Sequence, residues 1–542
     1  MHSTRRFPRG KTSACLGLVI LAACAALQAQ VPDVVTYHND VARTAQNLQE
    51  TILTTGNVNS NGFGKLFTVP VDGVIDAEPV YLYNLSIGGG THNAAYAVTE
   101  NDSVYAFDAD TGTVLWQVST LGQGESPSDD HGCGQITPQI GITSTPVIDR
   151  SSGPHGTIYV VAMSKNRSGQ YFQRIHALDI TTGKEEFGGP TTIEAKYPGT
   201  GDNSHNGHVV FDPAQYAERQ GLLLLNHVIY TAWTSHCDVR PYTGWLIGYR
   251  EQTLKRSRVL NVTPNGNEGA IWQAGGGLAA YGSDIFFLDA NGTFDTDLNS
   301  KGFPKMGDYG NAFVRVSTKG NSLAVADYFT MYDTVNESNN DEDLGSGGTI
   351  VLPPMTDATG KTRYLAIGAG KDSNIYLVNR KHMGKFNPNN DNAIYQEIDG
   401  ALNGGVWATP AYFNGSVYFG PEGNNLLQFQ FSNAKLLTTP QSKSATTFAY
   451  PGTAPSVSAN GSGNGIVWTI EHTGGNDVLH AYTAGNLAKE LYNTNQAGTR
   501  DQFGTASHFG TPMIVNGKVY VGTTSSVAVF GLLNGKPGRG QQ

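Results

Sequence analysis

The stretch that decides the fold reads Ser103-Val104-Tyr105-Ala106-Phe107-Asp108-Ala109-Asp110-Thr111-Gly112-Thr113-Val114-Leu115-Trp116. Two short apolar runs with aromatic side chains flank the sequence Asp-x-x-Thr-Gly. An aspartate at the start of such a turn accepts hydrogen bonds from the backbone two residues on, and the glycine takes a positive φ at no steric cost. The stretch therefore predicts two β-strands joined by a tight turn, and Glu78-Pro79-Val80 marks the start of the same unit.

The same pattern recurs along the chain. A second clear copy begins at Thr145-Pro146-Val147 and turns at Asp179-Ile180-Thr181-Thr182-Gly183. Weaker copies bring the number to eight between about residues 77 and 534, or roughly 57 residues per copy with insertions. Short strands with turn signals at even spacing predict an all-β fold, specifically an eight-bladed β-propeller of four-stranded antiparallel blades.

A strand that lies before the first copy predicts how the ring closes. Lys65-Leu66-Phe67-Thr68-Val69 has the same pattern as 114–118, the outermost strand of the first copy. We expect this N-terminal strand to lie on the outside of the last blade, beside Val527-Ala528-Val529-Phe530. Such pairing would tie the two ends of the chain together and cover a strand edge.

Composition excludes several classes of protein. Glycine accounts for 67 of the 542 residues and charged residues for only 15%, which suits strands and turns rather than coiled coils or charged disordered chains. The net charge is −10, and the body has no run rich in lysine or arginine, so we expect no nucleic-acid partner. No stretch is apolar over a length that spans a bilayer, so we expect no transmembrane segment.

The first thirty residues have the charge order of a secretory signal. Basic residues precede an apolar run at 14–23, and the first acidic residue is Asp33. We predict a signal peptide at 1–30, a single propeller domain at 31–536 and a flexible tail at 537–542. Cleavage after Ala29 would release a chain into the periplasm or medium, whereas Leu21-Ala22-Ala23-Cys24 resembles a lipobox and would leave a lipoprotein anchored at Cys24.

Export changes what the cysteines imply. Cys133 and Cys237 are the two cysteines of the body, because Cys15 and Cys24 lie in the signal. Two cysteines in an oxidising compartment are bonded more often than free. We therefore expect one disulfide between Cys133 and Cys237, joining two loops.

The repeat resembles the quinoprotein alcohol dehydrogenase-like superfamily, whose propellers bind pyrroloquinoline quinone and calcium over the central channel. Several segments are similar to the family's site, including Gly269-Ala270-Ile271-Trp272, Asp341-Glu342-Asp343 and Gly404-Gly405-Val406-Trp407. The resemblance implies three sets of site residues. They are the catalytic carboxylates Asp341 and Asp343, the cofactor contacts Trp272, Lys371 and Trp407, and the metal ligands Asn291, Asp238 and Asp341.

Plainer interpretations of the same residues stay open. Trp272 and Trp407 could be propeller core, and residues 341–343 could be an exposed loop. The oxygen-rich loop with Asp289, Asn291, Asp295 and Asp297 could bind calcium alone or be a solvated turn. His205 and His208 have no carboxylate or cysteine at zinc spacing, whereas His236 stands beside Cys237.

Three functions follow from these observations. The first is a quinone- and calcium-dependent dehydrogenase of alcohols or sugars, exported to the periplasm or medium. The second is a non-catalytic propeller that binds a protein of the cell envelope or a polysaccharide. The third is a secreted polysaccharide lyase or hydrolase that uses histidine and acidic residues over the channel. The partner is thus a small molecule, a carbohydrate or a protein.

Overall fold

A computed structural model describes residues 1–2 and 31–533. The predicted signal peptide at 1–30 and tail at 537–542 lie outside these residues, apart from the first two, so both bounds stay predictions. Strands hold 44% of the residues and helices 4%, which confirms the all-β prediction. No helix in the described part of the chain is long and apolar enough to cross a membrane.

Eight sheets of four or more strands follow one another along the described chain. The first four are as follows. The first sheet is Val80–Ile87, Gly90–Val98, Ser103–Asp108 and Val114–Ser119; the second is Glu125–Asp129, Gln139–Ile140, Val147–Asp149, Thr157–Asn166, Tyr171–Asp179 and Thr191–Thr192; the third is Leu223–Leu225, Val228–Ala232, Trp245–Arg250 and Arg256–Asn261; the fourth is Ala279–Tyr281, Asp284–Leu288, Phe313–Ser317 and Ala324–Phe329.

The remaining four sheets have the same antiparallel order. The fifth is Thr349–Val351, Leu365–Gly368, Ile375–Asn379 and Gln396–Ile398; the sixth is Ala411–Phe413, Ser416–Phe419, Asn424–Ser432, Lys435–Leu436 and Ser442–Phe448; the seventh is Ser456–Asn460, Gly463–Glu471, Val478–Thr483 and Asn486–Asn493 with Gln46–Asn47 added in parallel; the eighth is Met513–Val515, Lys518–Gly522, Ser526–Leu532 and Phe63–Pro70. The eight sheets correspond one to one with the eight copies of the repeat.

Short helical segments and three small sheets lie between the strands of the eight large sheets. They are the helix Thr334–Asn339, the 3₁₀ turns Gln273–Gly275, Leu344–Ser346 and Thr494–Asp501, and three small sheets made of Lys196–Pro198, Ser204–His205 and His208–Val210, of Tyr216–Ala217 and Thr234–Ser235, and of Met355–Thr356 and Thr362–Arg363. The two 3₁₀ turns at 273–275 and 344–346 lie directly before the fourth and fifth sheets, next to candidate site residues.

The core lies between neighbouring sheets. Each sheet buries apolar side chains against the next in chain order; for example, Ile158 of the second sheet joins Tyr96 of the first. The series ends with Val529 of the eighth sheet packed in one cluster with Tyr81 and Phe107 of the first. Sheets that pack in sequence, with the last against the first, form a β-propeller.

The N-terminal strand closes this arrangement as the sequence predicts. Phe63–Pro70 pairs antiparallel with Ser526–Leu532, with Phe67 opposite Val529 and Val69 opposite Val527. The edge strand of the last sheet is therefore covered by residues from the other end of the chain. This pairing confirms the predicted closure.

A segment that the sequence analysis missed runs through the middle of the propeller. Residues 34–47 form hydrogen bonds with one strand of each of the eight sheets or with residues directly beside these strands. The contacts are Val34 with Tyr81, Val35 with Ile148, Arg43 with Leu222 and Leu278, Val41 with Ala280, Ala42 with Val351, Thr44 with Tyr412, Ala45 with Val457 and Asn47 with Ile514. We call residues 34–47 the axial segment. It gave no sequence signal because each residue bonds through its backbone or a single side chain, without periodicity.

Candidate functional site

The strand direction brings the predicted site residues to one end of the sheets. In an antiparallel sheet the first strand begins at the same end at which the second strand finishes. Trp272, Asp343 and Trp407 lie just before the first strands of the fourth, fifth and sixth sheets. Asn291 and Lys371 lie just after the second strands of the fourth and fifth sheets. Loops from different sheets therefore meet at one end of the central axis.

A pocket with a cavity volume of about 40 Å³ lies among these loops. It is lined by Gln135, Arg219, Asp238, Trp272, Ala274, Asn291, Asp343, Ser346, Lys371, Trp407 and Phe509. Six of the seven residues that the resemblance implies thus face one cavity, although they are spread over 170 positions of the chain. The seventh, Asp341, lies beside the pocket and bonds two of its lining residues.

Lys371 is the centre of the polar side of the pocket. Its ammonium nitrogen lies 2.8 Å from Oδ1 of Asp343 and also contacts Oδ1 of Asp341. Oδ1 of Asp341 in turn accepts a hydrogen bond of 2.6 Å from the amide nitrogen of Asn291. One cation therefore holds two carboxylates, and one of these orients the amide that is expected to bind metal.

The two carboxylates have different surroundings. Asp343 is 1% exposed, and burial raises its pKa although the Lys371 charge opposes the rise. The side chain of Asp341 is 66% exposed. Burial disfavours the charged form of Lys371, but Asp343 and Asp341 outweigh this effect and raise its pKa. Lys371 thus stays charged at neutral pH, beside one buried and one hydrated carboxylate.

Trp272 forms an aromatic wall on another side. It is partly exposed and lines the pocket while its remainder packs on the core between the second and third sheets. Trp407 is also partly exposed, and its ring centroid lies 5.3 Å from that of Tyr450 in an edge-on contact. The two tryptophans therefore present part of their surface to the pocket, whereas a core residue would be fully buried.

Arg219 is the main residue that the sequence analysis missed. It is 3% exposed, and its guanidinium carbon lies 5.4 Å from the centroid of the Trp272 ring and 4.4 Å from that of Phe509. Its Nη1 donates to Oε1 of Gln135 at 2.9 Å, whereas Nε and Nη2 have no hydrogen-bond partner among the described residues. Its position directly before the first strand of the third sheet was the available signal, since other site residues share it.

The predicted disulfide lies beside this pocket. Cys133 and Cys237 are bonded, with their Cα atoms 5.4 Å apart, which confirms the pairing. Cys133 lines a small chamber that shares Gln135, Arg219 and Trp272 with the pocket. The disulfide therefore joins the loop that carries Gln135 to the loop that carries Asp238.

Two histidines stack next to the disulfide. The rings of His131 and His236 are 4.0 Å apart with an interplanar angle of 11°. Burial, followed by the nearby His131, lowers the pKa of His236 to about 3. His236 is therefore neutral at neutral pH. It lines the chamber and not the pocket that Asp343 lines.

The residues of the oxygen-rich loop after the fourth sheet's second strand have different surroundings. Asn291 faces the pocket, and Asp289 is fully buried with a pKa raised by burial. Asp295 accepts one backbone hydrogen bond from Asp297, and Asp297 pairs with Lys305 at the surface. The solvated-turn interpretation therefore fits Asp295 and Asp297, whereas Asn291 lines the candidate pocket.

The oxygen atoms near Lys371 are the candidate ligands for a calcium ion. Asp238, whose Oδ1 accepts a hydrogen bond from Tyr242, and Asn291 and Asp343 all face the pocket. Across residues 31–533, no three His, Cys, Asp or Glu side chains are grouped closely enough to hold a metal by themselves. A cation here would need the amide oxygen of Asn291 and oxygens of a bound ligand as well. His205 and His208 lie on a small sheet, paired with each other in its register.

Comparison with known proteins shows which solved structures share this fold. No protein-family model and no curated protein sequence matches the chain. Among solved structures, it is similar to the quinohemoprotein alcohol dehydrogenase of Comamonas testosteroni, with a TM-score of 0.59 at 15% identity over 94% of this chain and 82% of that one. It is similar to quinohemoprotein alcohol dehydrogenase ADHIIG of Pseudomonas putida HK5, with a TM-score of 0.60 at 12% identity over 93% and 81%.

A europium-containing methanol dehydrogenase is similar over 92% of this chain and 98% of its own, with a TM-score of 0.59 at 12% identity. These identities are low, so the likeness shows the fold alone. Any activity has to be argued from the residues of the site. The chain is thus a divergent β-propeller with the fold of the quinoprotein dehydrogenases.

Proposed function

We propose that the chain is an exported dehydrogenase of alcohols or sugars that depends on pyrroloquinoline quinone and calcium. The observation that carries the proposal is the meeting of Trp272, Asn291, Asp343 and Lys371 in one pocket. A flat cofactor needs an aromatic face, calcium needs hard oxygen ligands, and a quinone needs a nearby cation. The pocket offers all three within one cavity.

Unpartnered polar atoms inside the pocket fit this ligand. Oδ1 of Asn291 is buried without a hydrogen-bond partner in the described chain, as are Nε and Nη2 of Arg219. Buried polar groups without partners are costly, and a bound cofactor and cation would supply partners for these atoms. An amide oxygen suits a calcium ion, and a guanidinium suits a carboxylate of the quinone.

Each residue then has a role. Trp272 would support one face of the ring, and Asn291, Asp238 and Asp341 would hold calcium. When bound, the quinone would accept the two electrons of the substrate, and calcium would make its carbonyl more electrophilic. Asp343 would take the hydroxyl proton of the substrate, because a buried carboxylate with a raised pKa is the stronger base. Lys371 would hold Asp343 and Asp341 in place and oppose negative charge on the ligand.

Binding can be measured apart from activity. We expect saturable quenching of tryptophan fluorescence when quinone is added with calcium, and loss of quenching after chelation. Trp272→Ala should weaken binding by roughly 1–3 kcal/mol, by analogy with losses of base stacking on aromatic residues. The exposed Lys489→Ala is a matched control. Absence of saturable binding by the wild type would reject the whole proposal. Binding without dye-linked oxidation of any alcohol or sugar would reject the proposed dehydrogenase activity.

One observation favours the second candidate, a propeller that binds and does not catalyse. The guanidinium of Arg219 lies over the Trp272 ring, in space that a stacked cofactor would need. If Arg219 keeps this position, the pocket admits only a small anionic group, such as an acidic side chain of a cell-envelope protein. Arg219→Ala should then improve quinone binding, whereas loss of binding in this variant would assign Arg219 to the cofactor.

Export remains part of the proposal and rests on the N-terminal sequence. Determination of the N-terminus of the protein from its native host would distinguish cleavage near Ala29 from lipidation at Cys24. A protein that retains Met1 in the cytoplasm would contradict export.

A further inference from the structure

Three basic side chains meet in a depression at the other end of the sheets from the pocket. The depression has a cavity volume of about 350 Å³ and is lined by Tyr281, Asp284, Phe286, Arg315, Tyr364, Arg380 and Lys381. Tyr281 and Asp284 flank the turn between the first two strands of the fourth sheet, and Arg380 follows the third strand of the fifth. In antiparallel sheets these turns lie at the end opposite to the loops that carry Asn291 and Lys371.

Arg380 is held here by aromatic rings. It is 4% exposed, and its guanidinium carbon lies 4.0 Å from the centroid of the Tyr281 ring and 5.5 Å from that of Tyr364. Its Nε and Nη2 have no hydrogen-bond partner among residues 31–533. The ammonium of Lys381 lies 4.9 Å from the Tyr364 ring. Rings orient the two cations without neutralising them.

The charges of the depression do not balance. Asp284 is the one acidic residue in the lining, and it lies 3.5 Å from Nη1 of Arg315. Arg380 and Lys381 have no ion pair within the described chain. The whole chain carries a net charge of −10, so this local excess of two positive charges is opposite in sign to the charge of the whole chain. A cationic hollow in an acidic protein selects for anions.

We propose that this depression binds the oxyanion of a small organic acid or phosphate ester. Arg380 and Lys381 bond the oxyanion, and the Tyr281 ring, which is 53% exposed, contacts the body of the ligand. Guanidinium groups bond carboxylate and phosphate oxygens in pairs, and the volume lies within the usual range for small-ligand sites. This site is separate from the proposed dehydrogenase pocket.

Calorimetric titration with citrate and, separately, with inorganic phosphate tests the proposal at constant ionic strength. We expect saturable binding of at least one probe, and the stronger probe identifies the carboxylate or the phosphate source. Arg380→Met and Lys381→Ala should each weaken binding at least tenfold, whereas Lys489→Ala should bind as the wild type does.

Two results would overturn the proposal. One is the absence of saturable binding of either probe by the wild type, and the other is binding that Lys381→Ala leaves unchanged. Lys381 is exposed, so its variant will fold even if Arg380→Met does not. Binding that Arg219→Met abolishes would place the anion in the dehydrogenase pocket instead, and would also overturn the proposal.

Discussion

The ammonium of Lys371 lies 2.8 Å from the carboxylate of Asp343, and both side chains are largely enclosed by the loops before and after the fifth sheet's first two strands. The lysine also reaches Asp341, so one residue organises the polar half of the pocket. Removing one partner of a buried pair leaves the other charge without compensation. The pair therefore links the stability of the protein to the chemistry of the site.

Lys371→Met should destabilise the protein by roughly 3 kcal/mol at neutral pH, because Asp343 must stay buried without its cation or take up a proton. Urea unfolding of this variant beside Lys489→Met measures the loss. Equal stability of the Lys371 variant and the wild type would show that the pair contributes nothing.

If the chain is the proposed dehydrogenase, its rate of substrate oxidation should rise with pH through a value above the ordinary range for aspartate. Burial raises the pKa of Asp343, and a general base acts only when deprotonated. Steady-state rates of the reconstituted protein between pH 4 and 9 would show the rise, and Asp343→Asn should abolish it. A pH profile that Asp341→Asn removes and Asp343→Asn preserves would transfer the role of base to Asp341.

Acid should weaken the second sheet through Glu125. The hydrogen bonds from Arg174, 2.7 Å to each carboxylate oxygen, hold the pKa of Glu125 at about 2, below its ordinary value of 4.5. A lowered folded-state pKa stabilises above pH 4.5, and this stabilisation is lost as pH falls toward 2. The difference in unfolding free energy between the wild type and Arg174→Met should shrink over that range. A difference that is constant from pH 6 to 2.5 would contradict this.

Loss of the disulfide should destabilise the protein and loosen the pocket. On the chain-entropy model, a bond that closes 104 residues contributes up to about 4–5 kcal/mol. Cys133→Ser with Cys237→Ser should therefore lower the melting temperature in calorimetry. Binding of the proposed quinone should weaken too, since the bond joins the loops of Gln135 and Asp238. Two free thiols in denatured, unreduced wild type would refute the pairing.

Arg43 should be the most sensitive residue of the axial segment. It is fully buried, and its guanidinium donates to the carbonyls of Leu278 and Leu222 at 2.9 and 3.2 Å and to Oγ1 of Thr36 at 2.6 Å. Arg43→Met leaves these acceptors unpaired, which should cost about 3 kcal/mol or more. Chemical denaturation should show the loss, whereas the exposed Arg167→Met should not differ from the wild type.

Local sequence determined the repeating parts of this molecule. The Asp108–Gly112 turn, the strands beside it and the strand at 65–69 that closes the ring all follow from short patterns, because a hairpin depends on neighbouring residues. The pairing of Cys133 with Cys237 followed from their number and from the oxidising compartment that the N-terminal sequence predicts. The resemblance of short segments implied seven site residues; six of them line one pocket, and their roles stay predictions.

Only the tertiary structure decided what joins distant parts of the chain. The axial segment bonds eight sheets through isolated contacts, so no period in the sequence marks it. Arg219 became part of the site because Trp272 and Phe509, from other sheets, meet around it. Arg380 looks like any turn arginine until the fourth sheet brings Tyr281 against it. Strand patterns are local, but side chains that meet across a closed ring are placed by the packing of all sheets together.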